Sequence, residues 1–225
     1  MGYVITIDGP AASGKSSVSR ELARKLKIPW VSTGAFYRGL AFAAISQNIS
    51  LNDKLSLSEL AVSSIWRIEM TVENTFVWYA DQNVTDKISK EEVGNYASQV
   101  SHYPEVRTSL LDQQRECALT AAGLVAEGRD CGTVVFPKAE VKIYLTARSD
   151  SRAHRRAQEL GLDEKALITQ QQRRDEQDST RKTAPLQIPT GAFVIDTSEL
   201  SLQQVIQKVE DYSKEKLARK LHFTE

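Results

Sequence analysis

The chain has 225 residues, with 29 Lys plus Arg balanced by 29 Asp plus Glu, so no global basic field marks nucleic acid as its main partner. It is long enough for a substantial core, and no stretch reaches the roughly 18 consecutive apolar residues that a membrane span requires. The opening MGYVITIDGP lacks the basic and long apolar regions of a secretion signal, and Thr6 falls inside an apparent strand rather than a myristoylation signal. Cys117 and Cys131 match no metal or redox spacing and read as buried small hydrophobes. The glycosylation patterns at Asn48 and Asn83 read as chance without a secretion signal, and the expectation is a cytoplasmic monomer with neither membrane nor nucleic acid as partner.

In chain order, Val4, Ile5 and Ile7 predict a short buried strand. Beyond it, Val18, Leu22 and Leu26 recur every four residues among charged Arg20, Glu21, Arg24 and Lys25, the pattern of an amphipathic helix. Between strand and helix, Gly9-Pro10-Ala11-Ala12-Ser13-Gly14-Lys15-Ser16 matches G-x-x-x-x-G-K-[ST] in full. Such a loop wraps closely around phosphate. Small residues let several backbone N–H groups converge, and the helix start adds free donors and partial positive charge. With Ser17, these residues form the expected cradle for nucleotide phosphates, in which Lys15 reaches the terminal phosphates and Ser16 ligates Mg²⁺.

A helix is expected from Gly39 to about Ser46, and residues 50–120 look like an insertion. In it, LSELAVSSIWRI has helical spacing, and RIEMTVEN and TFVWYADQNVT alternate as short strands joined near Glu73-Asn74-Thr75. SKEEVGNYASQVS and PEVRTSLLDQQRECALTAA read as helices, the first capped by Ser89 with Glu92 three residues on, the second opening at Pro104. GLVAEGRD and VKIYLTA follow as buried strands, then SDSRAHRRAQELGL and DEKALITQQQRRDEQDSTRK as polar helices. GAFVIDT is a last strand, and the closing helix carries Val205, Val209 and Tyr212 on one face. Strands separated by helices imply a three-layer α/β/α fold around a central parallel sheet, with sites at the carboxyl ends of the strands. The loop at Gly9, the GRD at Gly128 and Asp196-Thr197 all fall there.

Eight of the fifteen arginines lie between Arg129 and Arg181, and Lys165 is the only lysine between Arg148 and Arg181. Arginine forks onto phosphate oxygens where lysine is only a point charge. An arginine-rich polar segment across from a phosphate loop therefore reads as a lid for phosphoryl transfer, which needs cations around the transferred group and water kept out. Arg129, at the end of an apolar strand, is hard to explain as a surface charge; Arg38 could be one. Asp8 and Asp130 are the candidate carboxylates near Mg²⁺. His102, His154 and His222 lie in no recognisable motif.

GPAASGKSSVSRELA, STGAFYR, NYASQV, PEVR, EGRDCGTVVFP, VKIYLTA, RRDEQDSTRKTAPL and VIDTS occur in an order that resembles the bacterial-type cytidylate kinases, which have the nucleoside monophosphate kinase fold. The resemblance covers nearly the whole chain. It implies a P-loop core of residues 1–32, 121–150 and 182–225, a nucleotide-binding insertion of 33–120 with small antiparallel strands, and a helical lid of 151–181. It implies transfer of the γ-phosphoryl group of ATP to CMP or dCMP with Mg²⁺, with Lys15, Arg129 and Arg181 at the reacting phosphates. By the same resemblance, Arg38, Arg129 and Arg181 grip the acceptor phosphate, Thr33 lies near it, Ser98, Arg107 and Asp130 read cytosine, and Arg174 and Asp178 contact the ribose. Asp130 could instead buttress Arg129, Thr33 could cap a helix, and Arg174 with Asp178 could be a plain surface pair. The sequence departs from the family pattern at Ser89-Lys90, at Lys138, in the turn Ala80 to Val84 and at Cys131. The competing readings are a kinase for UMP, shikimate or a coenzyme precursor, and a nucleotide-binding switch without turnover. The Ser98, Arg107, Asp130 set argues for cytosine, and an acceptor-phosphate clamp has no use in a switch.

Overall fold

The computed structural model describes the backbone of residues 2–160 and 164–222, and their side chains except those of 156, 158–160, 164–167, 170, 171, 173, 174 and 219–222. The first apolar run forms strand β1 (Tyr3–Asp8), and the amphipathic stripe forms helix α1 (Lys15–Leu26), in which Val18 and Leu22 are buried. A short strand β2 (Trp30–Ser32) leads directly into helix α2 (Thr33–Ser46). This helix starts earlier than Gly39, where the sequence reading placed it. Ser32 is its extended N-cap, and nothing between Thr33 and Gly39 breaks a helix. The insertion then supplies α3 (Lys54–Ala61), an antiparallel sheet of β3 (Trp66–Met70), β4 (Thr75–Tyr79) and β5 (Gln82–Asn83), and helices α4 (Thr85–Ser89), α5 (Glu91–Val100) and α6 (Pro104–Glu116). Ser89 does not cap α5. It ends the short helix α4, its hydroxyl donating to the Asp86 carbonyl at 2.7 Å, and Lys90 precedes α5 without a side-chain cap.

The chain returns as β6 (Gly123–Gly128), a π-helical turn (Cys131–Val135) and β7 (Val141–Thr146). Helices α7 (Ser149–Leu160) and α8 (Glu164–Ser179), strand β8 (Phe193–Asp196) and helix α9 (Leu202–His222) complete it. The five-stranded sheet has the order β2-β6-β1-β7-β8, and every pairing in it is parallel.

Strand alternation divides the core into two. On one face Val4, Val31, Leu124 and Ala126 pack with Leu40, Leu57 and Leu110 from α2, α3 and α6. On the other, Ile5, Ile7, Val125, Ile143, Leu145 and Ile195 pack with Val18 and Leu22 of α1 and Val205, Ile206 and Val209 of α9. Tyr212 of α9 stacks on Phe193 at 4.4 Å between ring centres. Helices therefore cover both faces, as expected for a buried parallel sheet.

The small antiparallel sheet is fastened to the edge strand β2. The Thr75 hydroxyl donates to the Trp30 carbonyl at 3.0 Å and accepts the Ser32 N–H at 3.1 Å, and the Trp30 N–H donates to the Thr71 carbonyl at 3.2 Å. This caps a sheet edge that would otherwise present free backbone groups. Thr75 is 5% exposed. Thr75→Val keeps its shape but strands the Ser32 N–H, and should cost ~1–3 kcal/mol by chemical denaturation; an unchanged midpoint would show that water replaces the hydroxyl.

Candidate active site

The phosphate loop runs from the carboxyl end of β1 to the start of α1. Two glycines give it its shape. A Cβ on Gly9 would lie 2.1 Å from the Leu145 carbonyl oxygen, and Gly14, the N-cap of α1, adopts φ 91°. Ala12 also holds a left-handed φ of 55°, a conformation that costs a non-glycine residue roughly 1–2 kcal/mol. Lys15 is 8% exposed, and its Nζ donates to the Pro10 carbonyl at 2.6 Å. Burial, and then the nearby Arg129 charge, lower its pKa to about 8. The Ser16 hydroxyl donates to Glu127 Oε1 at 3.1 Å.

A cavity of about 300 Å³ opens beside this loop. It is lined by Ala11, Ala12, Lys15 and Ser16 of the phosphate loop and by residues of α2, α5, α6, α8 and the β6 terminus. Of the residues assigned in advance to the acceptor nucleotide, Thr33, Arg38, Ser98, Arg107, Arg129, Asp130, Asp178 and Arg181 all reach its wall. The side chain of Arg174 lies outside the described residues. Within the loop, Gly9, Pro10, Ser13, Gly14 and Ser17 shape the backbone without lining the cavity.

Arg38, on α2, lies across α5, its Nη1 donating to the carbonyls of Ile88 at 2.6 Å and Lys90 at 3.1 Å. It fits there because α5 has Gly94 beneath it: a Cβ would come within 2.7 Å of Arg38 Nη2. Asp178 is buried between two guanidinium groups, 2.7 Å from Arg129 Nη1 and 3.2 Å from Arg181 Nη2. It is therefore no exposed surface pair. Asp130 does not buttress Arg129 either. It pairs with Arg107, both being buried, and Arg107 also donates to the Ser101 carbonyl at 3.2 Å and lies over the Tyr37 ring. Burial pushes the Tyr37 phenol up to about 12, so the platform stays neutral. Thr33 is not a cap: its hydroxyl donates to the Glu127 carbonyl at 3.0 Å and keeps β6 close to α2. Ser98 reaches Gln177 at 3.5 Å.

The candidate Asp8 takes a different place. Both its carboxylate oxygens accept backbone N–H groups, from Cys131 at 2.8 Å and Gly132 at 2.7 Å, and it does not line the cavity. The carboxylate that does face Ser16 is Glu127, which sequence reasoning overlooked. The signal was present, because a charge inside the apolar run GLVAEG has the same claim on the site as Arg129 beside it. Asp175 and Arg152 were also missed as individuals. Asp175 accepts the Ala11 N–H at 3.2 Å and pairs with Arg152, which donates to the Ala11 carbonyl at 3.0 Å, so α7 and α8 touch the phosphate loop from above.

A parallel sheet with a phosphate loop after its first strand, and a polar helix pair over that loop, define a P-loop kinase core. The fold is similar to a gluconokinase from Sinorhizobium meliloti 1021, with a TM-score of 0.52 at 14% identity, covering 99% of this chain and 97% of that chain. It is also similar to an uncharacterized protein from Eubacterium ventriosum ATCC 27560, with a TM-score of 0.54 at 12% identity, covering 93% and 97%. The sequence places it further. The profile of the family described as cytidylate kinase matches residues 5–215. A cytidylate kinase of Bdellovibrio bacteriovorus is 61% identical over 217 residues, covering 96% of this chain and all of that one. A cytidylate kinase of Neisseria meningitidis serogroup A is 41% identical over 214 residues, covering 93% and 96%. The chain belongs to the cytidylate kinase family.

Burial raises the Asp8 carboxyl from 3.8 to about 7 against the pull of the two N–H groups. Ionising it thus costs more in the folded than in the unfolded chain. Its contribution makes folding stability fall as pH rises from 3.8 to about 7 and level off above that. Chemical denaturation in pH steps should show this slope, and Asp8→Asn should reduce it; an identical slope in the variant would contradict the assignment.

Proposed function

We propose that the chain transfers the γ-phosphoryl group of ATP to CMP or dCMP, giving ADP and CDP or dCDP. The observation that carries this reading is one cavity whose wall brings together Lys15 and Ser16, the arginines Arg38, Arg129 and Arg181, and the buried Arg107–Asp130 pair. An oxygen of the acceptor phosphate attacks the γ-phosphorus, and the bond to the β–γ bridging oxygen breaks as ADP leaves. The attacking phosphate is already an anion at neutral pH, so the protein's work is positioning and charge neutralisation rather than general-base catalysis.

The loop amides of Ala12 to Ser16 hold the donor phosphates, with Lys15 on the β- and γ-phosphates. Ser16 Oγ and Glu127, 3.1 Å apart, form a hydroxyl–carboxylate oxygen pair suited to a hard cation, and would hold Mg²⁺. Bound there, Mg²⁺ supplies charge neutralisation at the donor phosphates. Arg38, Arg129 and Arg181 are assigned to the acceptor phosphate, and Asp178, already between Arg129 and Arg181, to the ribose. Asp130 accepts from the cytosine amine while Arg107 donates to its ring acceptors. Residues 33–120 serve as the acceptor-binding insertion and 151–181 as the lid, which reaches the phosphate loop through Arg152 and Asp175. The two free cysteines are buried, which suits a reducing cytoplasm, where we place the enzyme as a monomer.

ADP release assayed with CMP, dCMP, UMP, AMP and GMP in turn should give strong turnover with CMP or dCMP, less with UMP and none with the purines. Purine turnover equal to that with CMP would refute the base assignment. Asp130→Asn offers an amide that can donate to the uracil carbonyl, and should lower the CMP-over-UMP ratio in kcat/KM by about tenfold to a hundredfold, the ~1–3 kcal/mol of one base contact; an unchanged ratio would remove Asp130 from base recognition. Because Lys15 binds phosphate as a cation, kcat/KM for ATP should fall as pH rises through about 8. A profile flat to pH 10 would mean that Lys15 keeps its proton in the free enzyme.

A further inference from the structure

Asp8 is fully buried at the end of β1, yet it is outside the cavity wall and used by no step above. Its partners are specific. The Cys131 and Gly132 N–H groups that it binds open the π-helical turn, and Arg129 and Asp130 are the residues immediately before that turn. Strand register places Asp8 opposite Gly128, so β6 ends level with β1. From that point, the Asp8 carboxylate sets the direction in which the chain leaves the sheet. The fit is close. A Cβ on Gly132 would lie 3.1 Å from Asp8 Oδ2, 2.9 Å from Thr6 Oγ1 and 2.9 Å from Pro189 Cγ. Among the described residues no ion pair joins Asp8 to a Lys or Arg, and burial opposes its ionisation, so holding it as a carboxylate costs the fold.

We infer that Asp8 is a positioning residue for the acceptor half of the reaction: its carboxylate holds the Cys131–Gly132 amides and thereby aims Arg129 at the acceptor phosphate and Asp130 at the base. The inference rests on the function proposed above. A group that served the fold alone would gain from being neutral at this site, whereas one that must satisfy two adjacent N–H donors needs two acceptor oxygens. Asparagine provides a single acceptor oxygen and turns its NH₂ toward the second donor.

The test compares the full-length chain with Asp8→Asn, measuring KM for CMP and for ATP, kcat and thermal midpoint. The expected result is a KM for CMP raised about tenfold or more, the loss of one charge-assisted hydrogen bond, with KM for ATP changed less than about twofold, while the midpoint confirms that the variant is folded. Gly132→Ala displaces the same turn, its Cβ pressing on Thr6 and Pro189 as well as on Asp8, and should give the same split between the substrates, which keeps the test intact if Asp8→Asn fails to fold. Equal rises in both KM values, or no rise for CMP, would overturn the inference while leaving the kinase reading in place. Absence of CMP turnover in the unsubstituted chain would overturn both.

Discussion

The parallel pairing of β1 with β6 is the constraint on which the site depends. Asp8 and Gly128 are register partners, so the phosphate loop and the Gly128-Arg129-Asp130 segment leave the sheet side by side although they are separated by more than a hundred residues of chain. Between them the chain forms α1, β2 and the whole insertion before it returns along β6 to the strand end beside its start. This is the general advantage of a parallel sheet: the carboxyl ends of its strands gather distant loops into one crevice. Glycine makes the closeness possible. A Cβ at Gly128 would lie 2.2 Å from the Thr33 hydroxyl, and one at Gly9 would meet the Leu145 carbonyl.

Buried charge is concentrated at this crevice. Asp8, Lys15, Arg107, Glu127, Asp130, Asp178 and Arg181 are all buried, in a protein whose remaining interior is largely aliphatic. Such groups are costly to desolvate, and their pairing offsets only part of that cost. The fold tolerates them because rigid elements hold each partner in place: Asp178 between two arginines, Asp130 on Arg107, Asp8 on two amides. Burial lowers the pKa of Lys15 and Arg181 and raises that of Asp8. Strong shifts gathered at one cleft are a physical mark of a functional site.

Much of this was legible in the sequence, for identifiable reasons. The phosphate loop is a contiguous motif between a strand and a helix, so local pattern was enough. The three-layer arrangement followed from strands alternating with amphipathic helices, and Arg129 from a charge at the end of an apolar run. What escaped was information carried between elements. Nothing local to Thr33 says that its hydroxyl bonds the Glu127 carbonyl, and nothing local to Asp175 says that it meets the Ala11 N–H. Ser89 has the chemistry of a cap, but the short helix α4 ahead of it takes its hydroxyl. Asp8 resembled a metal carboxylate by its position after an apolar strand, yet two amides from a turn far along the chain take both its oxygens.

The central claim is that one cavity holds the acceptor phosphate on Arg38, Arg129 and Arg181 and the base on Arg107 and Asp130. A crystal structure of the chain with CMP bound tests it most directly. The account predicts the phosphate among those three guanidinium groups and the cytosine amine within hydrogen-bond distance of the Asp130 carboxylate. CMP seated with its phosphate in the Gly9–Ser17 loop, or with its base away from Arg107 and Asp130, would contradict it.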